Sequence, residues 1–189
     1  MSCSQFYVWV VSQVHHEQLR PALDELFLVC NPRSMGPNVQ TTTRWSDFSC
    51  KRHFCAMKDQ ELSLEELMPS ELHLPEQAIV VYVHDGNIVC YVHMLMYKEE
   101  SAIKGSEHHG PTVEYEMVST QEDVRQKGWA QHVLRYVETA AKAHGYHRLF
   151  MRIGEKKHFR DFLARNGYGH LAYAQERAGD NHWGKRLRS

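Results

Sequence analysis

Two hydrophobic periods run along the chain. Phe6-Tyr7-Val8-Trp9-Val10-Val11 is aromatic and β-branched throughout, which predicts a first β-strand, and the run is far too short to span a membrane. Leu19, Ala22, Leu23, Leu26, Phe27 and Cys30 then recur at helical spacing. Pro21 falls in the first turn, where a missing N–H does no harm, and Asn31-Pro32 stops the helix. Residues from Met35 to about Lys58 are polar and irregular. Ser63-Leu64-Glu65-Glu66 has the form of a capping box opening a short helix that Pro69 ends. Ala78–His84 and Ile88–Tyr97 are strand-like runs joined by Asp85-Gly86-Asn87, which has the composition of a tight hairpin. A polar loop follows, and then a strand over Thr112–Val118.

Trp129 to His144 places Ala130, Val133, Leu134, Val137, Ala140 and Ala141 on one helical face, with Gly145 as a left-handed stop. His147–Ile153 reads as a strand, Phe159–Asn166 as a helix closed by Gly167, and Tyr168–Gln175 as a strand. Trp183 and Leu187 belong to a last short strand. The order β-α-α-β-β-β-α-β-α-β-β mixes strands and helices without strict alternation. It predicts an α/β class, an α+β mixed sheet flanked by helices, in a single domain over 1–189.

Composition narrows the field. Hydrophobic residues make up 42% of the 189, enough for a buried core, and the net charge of -1 carries no global signal for nucleic acid or membrane. The charge is nevertheless uneven. Asp59 to Tyr97 holds seven acids and no Lys or Arg, whereas Lys142 to Ser189 holds eleven bases and four acids. Five cysteines, an odd number at irregular spacing, predict reduced thiols in a cytoplasmic setting. Cys50-x-x-His53-x-Cys55 has no standard zinc spacing, so no metal is expected.

The stretch from Met117 to Ala130 carries the chemistry. It joins a predicted strand to a strongly amphipathic helix through a basic, glycine-containing turn. Orphan N–H groups at a helix start, aided by the helix dipole, suit a phosphate. Gly128 permits close backbone approach, and Arg125 and Lys127 can add charge-assisted bonds. The lysine precedes the glycine and no G-K-[ST] follows, so this is no P-loop.

Arg125-x-x-Gly128-x-Ala130 after a strand resembles the pyrophosphate motif of the GNAT acetyltransferase superfamily, R/Q-x-x-G-x-G/A. Phe162-Leu163-Ala164-Arg165-Asn166-Gly167-Tyr168 is similar to the family's second signature, and Asp180–Leu187 to its closing strand. The resemblance spans about 77–187. It implies a GNAT-like acyl-CoA N-acyltransferase fold whose fourth and fifth strands splay apart. Acetyl-CoA is then the co-substrate. Its pantetheine arm pairs with the backbone of Met117, Val118 and Ser119, and its pyrophosphate sits on Arg125, Gln126, Lys127, Gly128, Trp129 and Ala130. The acceptor is an amine, on a small cationic metabolite or on a protein, and the acid-only stretch favours a cationic one. A catalytically degenerate acyl-CoA-binding or protein-interaction module is the alternative, and homodimerisation stays open.

Acetyl transfer needs a neutral amine, yet alkylammonium groups have a pKa of about 10, so a general base is useful. Glu116 and then Glu114, on the motif strand, are the candidates. Period-two alternation puts them on one face with Val118. His93 on the neighbouring strand is third. The family implies a tyrosine acid for the thiolate where this chain has Leu163. Tyr173, Tyr146 or water then serves, or the thiolate leaves unassisted, or catalysis is lost. Trp45 is a candidate for the acceptor pocket, or packs ordinarily.

Overall fold

In the computed structural model the described residues are 3–11, 16–36, 42–57, 76–97, 111–153, 157–170 and 181–187. They form β1 (Ser4–Val11), α1 (His16–Cys30), β2 (Cys55–Met57), β3 (Glu76–His84), β4 (Asn87–Tyr97), β5 (Thr112–Thr120), α2 (Trp129–Ala143), β6 (Arg148–Ile153), α3 (Lys157–Arg165), β7 (Gly169–His170) and β8 (Asn181–Arg186). The eight strands make one mixed sheet in the order β2-β1-β3-β4-β5-β6-β8-β7. Only β5 and β6 run parallel, and α2 is the crossover that joins them, as parallel neighbours require.

The central strands are apolar on both faces because both are covered. Phe6 and Val8, Ala78, Val80 and Tyr82, Val92, Met94 and Met96, and Val113 and Tyr115 pack with α2 and α3. Trp9 and Val11, Ile79, Val81 and Val83, and Ile88 and Tyr91 pack with α1. The predicted Leu19, Ala22, Leu26 and Cys30 of α1 are buried together with Val29, which was not expected, while Phe27 is exposed; Val133, Leu134, Val137 and Ala141 of α2 are buried as predicted. The hairpin turns on Asp85 and Gly86, both at positive φ, as a tight reversal between twisted strands demands.

The structure departs from the expected pattern at Pro21, which lies inside α1 rather than in its first turn, and at one strand. A short edge strand, β2, pairs with β1 inside the stretch expected to be irregular. Cys30 and Cys90 are buried, and all five cysteines are free. The helix expected near Ser63 and the loop after Tyr97 lie outside the described residues, as does the part of the Tyr168–Gln175 strand beyond His170.

One polar chain threads the α2–α3 core. The Tyr115 and Tyr168 hydroxyls lie 3.3 Å apart, Tyr168 donates to Glu138 Oε1 at 3.0 Å, and Lys185 Nζ donates to Glu138 Oε2 at 2.7 Å. Lys185 also donates to the Asn166 carbonyl at 2.9 Å. Burial pushes the pKa of both phenols upward, so both stay protonated donors.

Leu163 has no exposed surface and packs in this same core. Leu163→Ala should therefore lower the unfolding free energy by about 2–5 kcal/mol, read as a reduced urea midpoint at unchanged slope.

Candidate active site

β5 and β6 pair over four rungs only, from Thr112–Arg148 to Tyr115–Met151. Past that rung each strand remains held on its far side. Met117, Val118, Ser119 and Thr120 pair with His93, Val92, Tyr91 and Cys90 of β4, while Arg152 and Ile153 pair with His182 and Asn181 of β8. A gap therefore opens between two fixed edges. Among the described residues, the backbone groups of 116–120 that face β6 have no strand partner there.

A bulge sits at the apex of the gap. The β4–β5 register jumps from Met94–Tyr115 to His93–Met117 and leaves Glu116 as an extra residue. The side-chain alternation of β5 shifts with it, since Val113 and Tyr115 face α2 before the bulge and Val118 does so after it. Glu114 and Glu116 consequently do not share an environment, contrary to the period-two expectation. Glu114 is 3% exposed, whereas Glu116 lies at the surface.

Glu114 is held at the final rungs. Tyr97 donates to its Oε2 at 3.1 Å, and Arg152 Nε lies 3.4 Å from its Oε1. Burial raises the Glu114 pKa above the ordinary carboxylate range, against the opposing pull of Arg152 and the Tyr97 hydrogen bond, with Glu116 adding to the rise. Tyr97 is pushed up to about 12 by burial and by Glu114. His93 is engaged by Gln77, with Nε2 and Oε1 2.9 Å apart.

Beyond β5 a short 3-10 turn (Glu122–Val124) leads into the loop before α2. Gln126 has φ +67° and Gly128 φ +85°, two left-handed residues that fold the loop over the start of the helix. The helix ladder begins with the His132 N–H bonding to the Gly128 carbonyl at 3.0 Å. Among the described residues, none of the N–H groups from Gln126 to Gln131 donates to a backbone carbonyl. Clustered free donors at a helix start are what a diphosphate needs. Gln126, Lys127 and Gly128 are exposed, while Trp129 and Ala130 pack partly into the core. Arg125 is exposed, but its guanidinium is engaged within the chain. Its Nε donates to the Thr120 carbonyl at 3.1 Å and its Nη2 to Asn31 Oδ1 at 2.9 Å.

The strand residues expected to face the cofactor are thus Met117, exposed, Val118, half-buried, and Ser119, buried and bonded to Asn31 at 3.0 Å. Trp45 belongs to the aromatic cluster on the α1 face. It stacks on Tyr7 of β1 at 4.1 Å and meets Phe48 and Phe54. Tyr146 is buried in the α2 core, and Tyr173 is outside the described residues. His53 stacks on Trp9 at 4.9 Å. A concavity of about 760 Å³ is lined by Glu138, Lys142, Lys185 and Arg186 toward the C-terminal half of α2, away from the gap. Its Lys185 is already bonded to Glu138 and Asn166.

Sequence reasoning missed Tyr97, Arg152 and Asn31. Asn31 was legible as a helix stop only, and the proximity of Arg152 to Glu114 follows from the parallel register.

The profile of the Acetyltransferase (GNAT) family matches residues 41–168. The chain belongs to the GNAT acetyltransferase family. None of the curated proteins matches it. Among solved structures, a provisional N-acetyltransferase from Lactobacillus plantarum is 14% identical with a TM-score of 0.50, over 97% of this chain and 99% of that one. A GNAT-family acetyltransferase from Staphylococcus aureus MU50 is 9% identical with a TM-score of 0.49 over the same shares. An IAA acetyltransferase from Bacillus cereus ATCC 14579 is 16% identical with a TM-score of 0.45, over 59% of this chain and 78% of that one. At 14% identity the likeness to the Lactobacillus plantarum protein is one of fold alone.

A Cβ at Gly128 would meet no heavy atom within 4 Å, so only its left-handed backbone resists substitution. Gly128→Ala should cost roughly 1–2 kcal/mol of stability, measured by urea unfolding.

Proposed function

We propose that the chain is an acetyl-CoA-dependent N-acetyltransferase acting on a primary amine, of a small cationic metabolite or of a protein. The observation that carries this reading is a buried carboxylate, Glu114, at the point where β5 and β6 part. The gap leads from there to the donor-rich turn before α2. In this reading the diphosphate of the co-substrate lies on the N–H groups of the Gln126–Ala130 turn, with Lys127 adding charge. The pantetheine arm runs along Met117, Val118 and Ser119, whose gap-facing backbone groups supply its hydrogen bonds.

Glu114 takes the role of base, and Glu116 comes second. The clasp of Tyr97 and Arg152 supports that order because it fixes the carboxylate, and burial supports it because it raises the proton affinity toward the working range of a base against the clasp's opposing pull. The amine nitrogen attacks the thioester carbonyl, and a C–N bond forms as the carbonyl electrons move to oxygen. A backbone N–H of the unpaired β5 edge receives that oxyanion. The carbonyl re-forms, the C–S bond breaks and the thiolate leaves with the electron pair. The proton lost by the amine passes to Glu114, directly or through water. Leu163 cannot protonate the thiolate, so solvent does so.

No helix among the described residues is long and apolar enough to cross a membrane, and the free cysteines suit a reducing, cytoplasmic setting. The second reading, an acyl-CoA-binding module without catalysis, is favoured by Leu163, which leaves the family's acid position filled by an inert buried side chain.

Two measurements separate these readings. Acetyl-CoA should raise the melting temperature, and an amine panel read by thiol release should give turnover that Glu114→Gln lowers by about 10²–10⁴-fold. Ligand stabilisation without turnover on any amine would establish the second reading. The pH profile has a definite sign. A base must be ionised, so kcat/KM should fall as pH drops through a pKa above the ordinary carboxylate value. Arg152→Met removes a positive charge that favours the ionised form, so that acid limb should move to higher pH.

A further inference from the structure

Asn31 ends α1, yet its side chain does more than terminate a helix. Its Nδ2 donates to Ser119 Oγ at 3.0 Å and to the Phe27 carbonyl at 3.1 Å. Its Oδ1 accepts from Arg125 Nη2 at 2.9 Å. Arg125 in turn reaches back to the Thr120 carbonyl, and Glu122 lies 3.9 Å from Arg125 and 3.2 Å from Arg33. One amide therefore joins the C-terminus of α1, the free part of β5 and the arginine that opens the turn.

We infer that Asn31 is a positioning residue for the diphosphate of acyl-CoA, and that Arg125 serves this site as a clasp rather than as an anion ligand. The inference rests on the acyl-CoA reading of the same turn. Arg125 folded onto Thr120 fixes the reversal between the end of β5 and Gln126. The next residue, Gln126, is a non-glycine at φ +67°, a conformation that persists only where neighbours hold it. Asn31 holds Arg125 from outside the loop. The N–H groups from Gln126 onward then face one direction before any anion arrives, and binding incurs less ordering cost. Because Asn31 directly follows α1, the helix on the opposite face of the sheet from α2 shares control of the cofactor turn.

The test is CoA affinity by calorimetry for the wild type, Asn31→Ala, Arg125→Gln, the double variant and Asn31→Asp. Asn31→Ala and Arg125→Gln should each weaken CoA about tenfold, the scale of one hydrogen bond to a charged group. The double variant should be no weaker than either single one, as two parts of one clasp require. Asn31→Asp keeps an acceptor for Arg125 and should bind near the wild-type level. In turnover, Asn31→Ala should raise KM for acetyl-CoA and leave KM for acetyl-pantetheine, which lacks the diphosphate, unchanged. Additive losses, or a loss in Arg125→Gln without one in Asn31→Ala, would make Arg125 a direct ligand and overturn the clasp. Equal losses with CoA and acetyl-pantetheine would reduce Asn31 to a general structural role. A wild type that binds no CoA removes the acyl-CoA reading itself, a different failure from a wild type that binds while the variants match it.

Discussion

The rest of the site depends on the loss of strand pairing after Tyr115 and Met151. A sheet loses hydrogen bonds when two adjacent strands part, and the groups left behind must find other partners. Here both strands stay anchored on their outer sides, β5 to β4 and β6 to β8, so the opening is a fixed feature of the sheet. The bulge at Glu116 bends β5 at the same point and re-aims every side chain that follows. From this one interruption follow the gap, the exposed strand edge and the placement of Glu114 at its apex.

Charge is arranged around that opening by distance and burial. Glu114 is buried but has two partners, so it can ionise without standing alone in an apolar setting. The proposed anion-binding end lies past Thr120, where the backbone supplies donors and Lys127 is exposed. The proposed base and the proposed anion site thus lie at opposite ends of the free part of β5. That suits a co-substrate whose reactive thioester and charged diphosphate sit at opposite ends of a long arm.

Much of the fold was legible in the sequence because strands apolar on both faces, a hairpin at Asp85-Gly86 and two amphipathic helix stripes leave periodic marks. The turn from Arg125 to Ala130 was legible because its glycine and bases fall between a strand and a helix. The bulge was not, since one inserted residue breaks the alternation on which strand reading rests, and Glu114 and Glu116 looked equivalent for that reason. β2 was hidden because three residues at a sheet edge carry no periodic signal. Arg152 and Asn31 were invisible as site residues because their partners are set by a parallel register and by helix docking, each a matter of long-range geometry.

The chain of hydroxyl, carboxylate and ammonium from Tyr115 through Tyr168 and Glu138 to Lys185 bears on how the molecule is assembled. Lys185 lies 47 residues beyond Glu138, on the strand inserted between β6 and β7. A growing polypeptide that has reached only β7 holds a half-buried acid with no cation to meet it. The last inserted strand therefore does more than fill a place in the sheet. Its arrival gives a cation to an acid that Tyr168 already engages, which ties completion of the core to completion of the sheet and disfavours a product that stops one strand short.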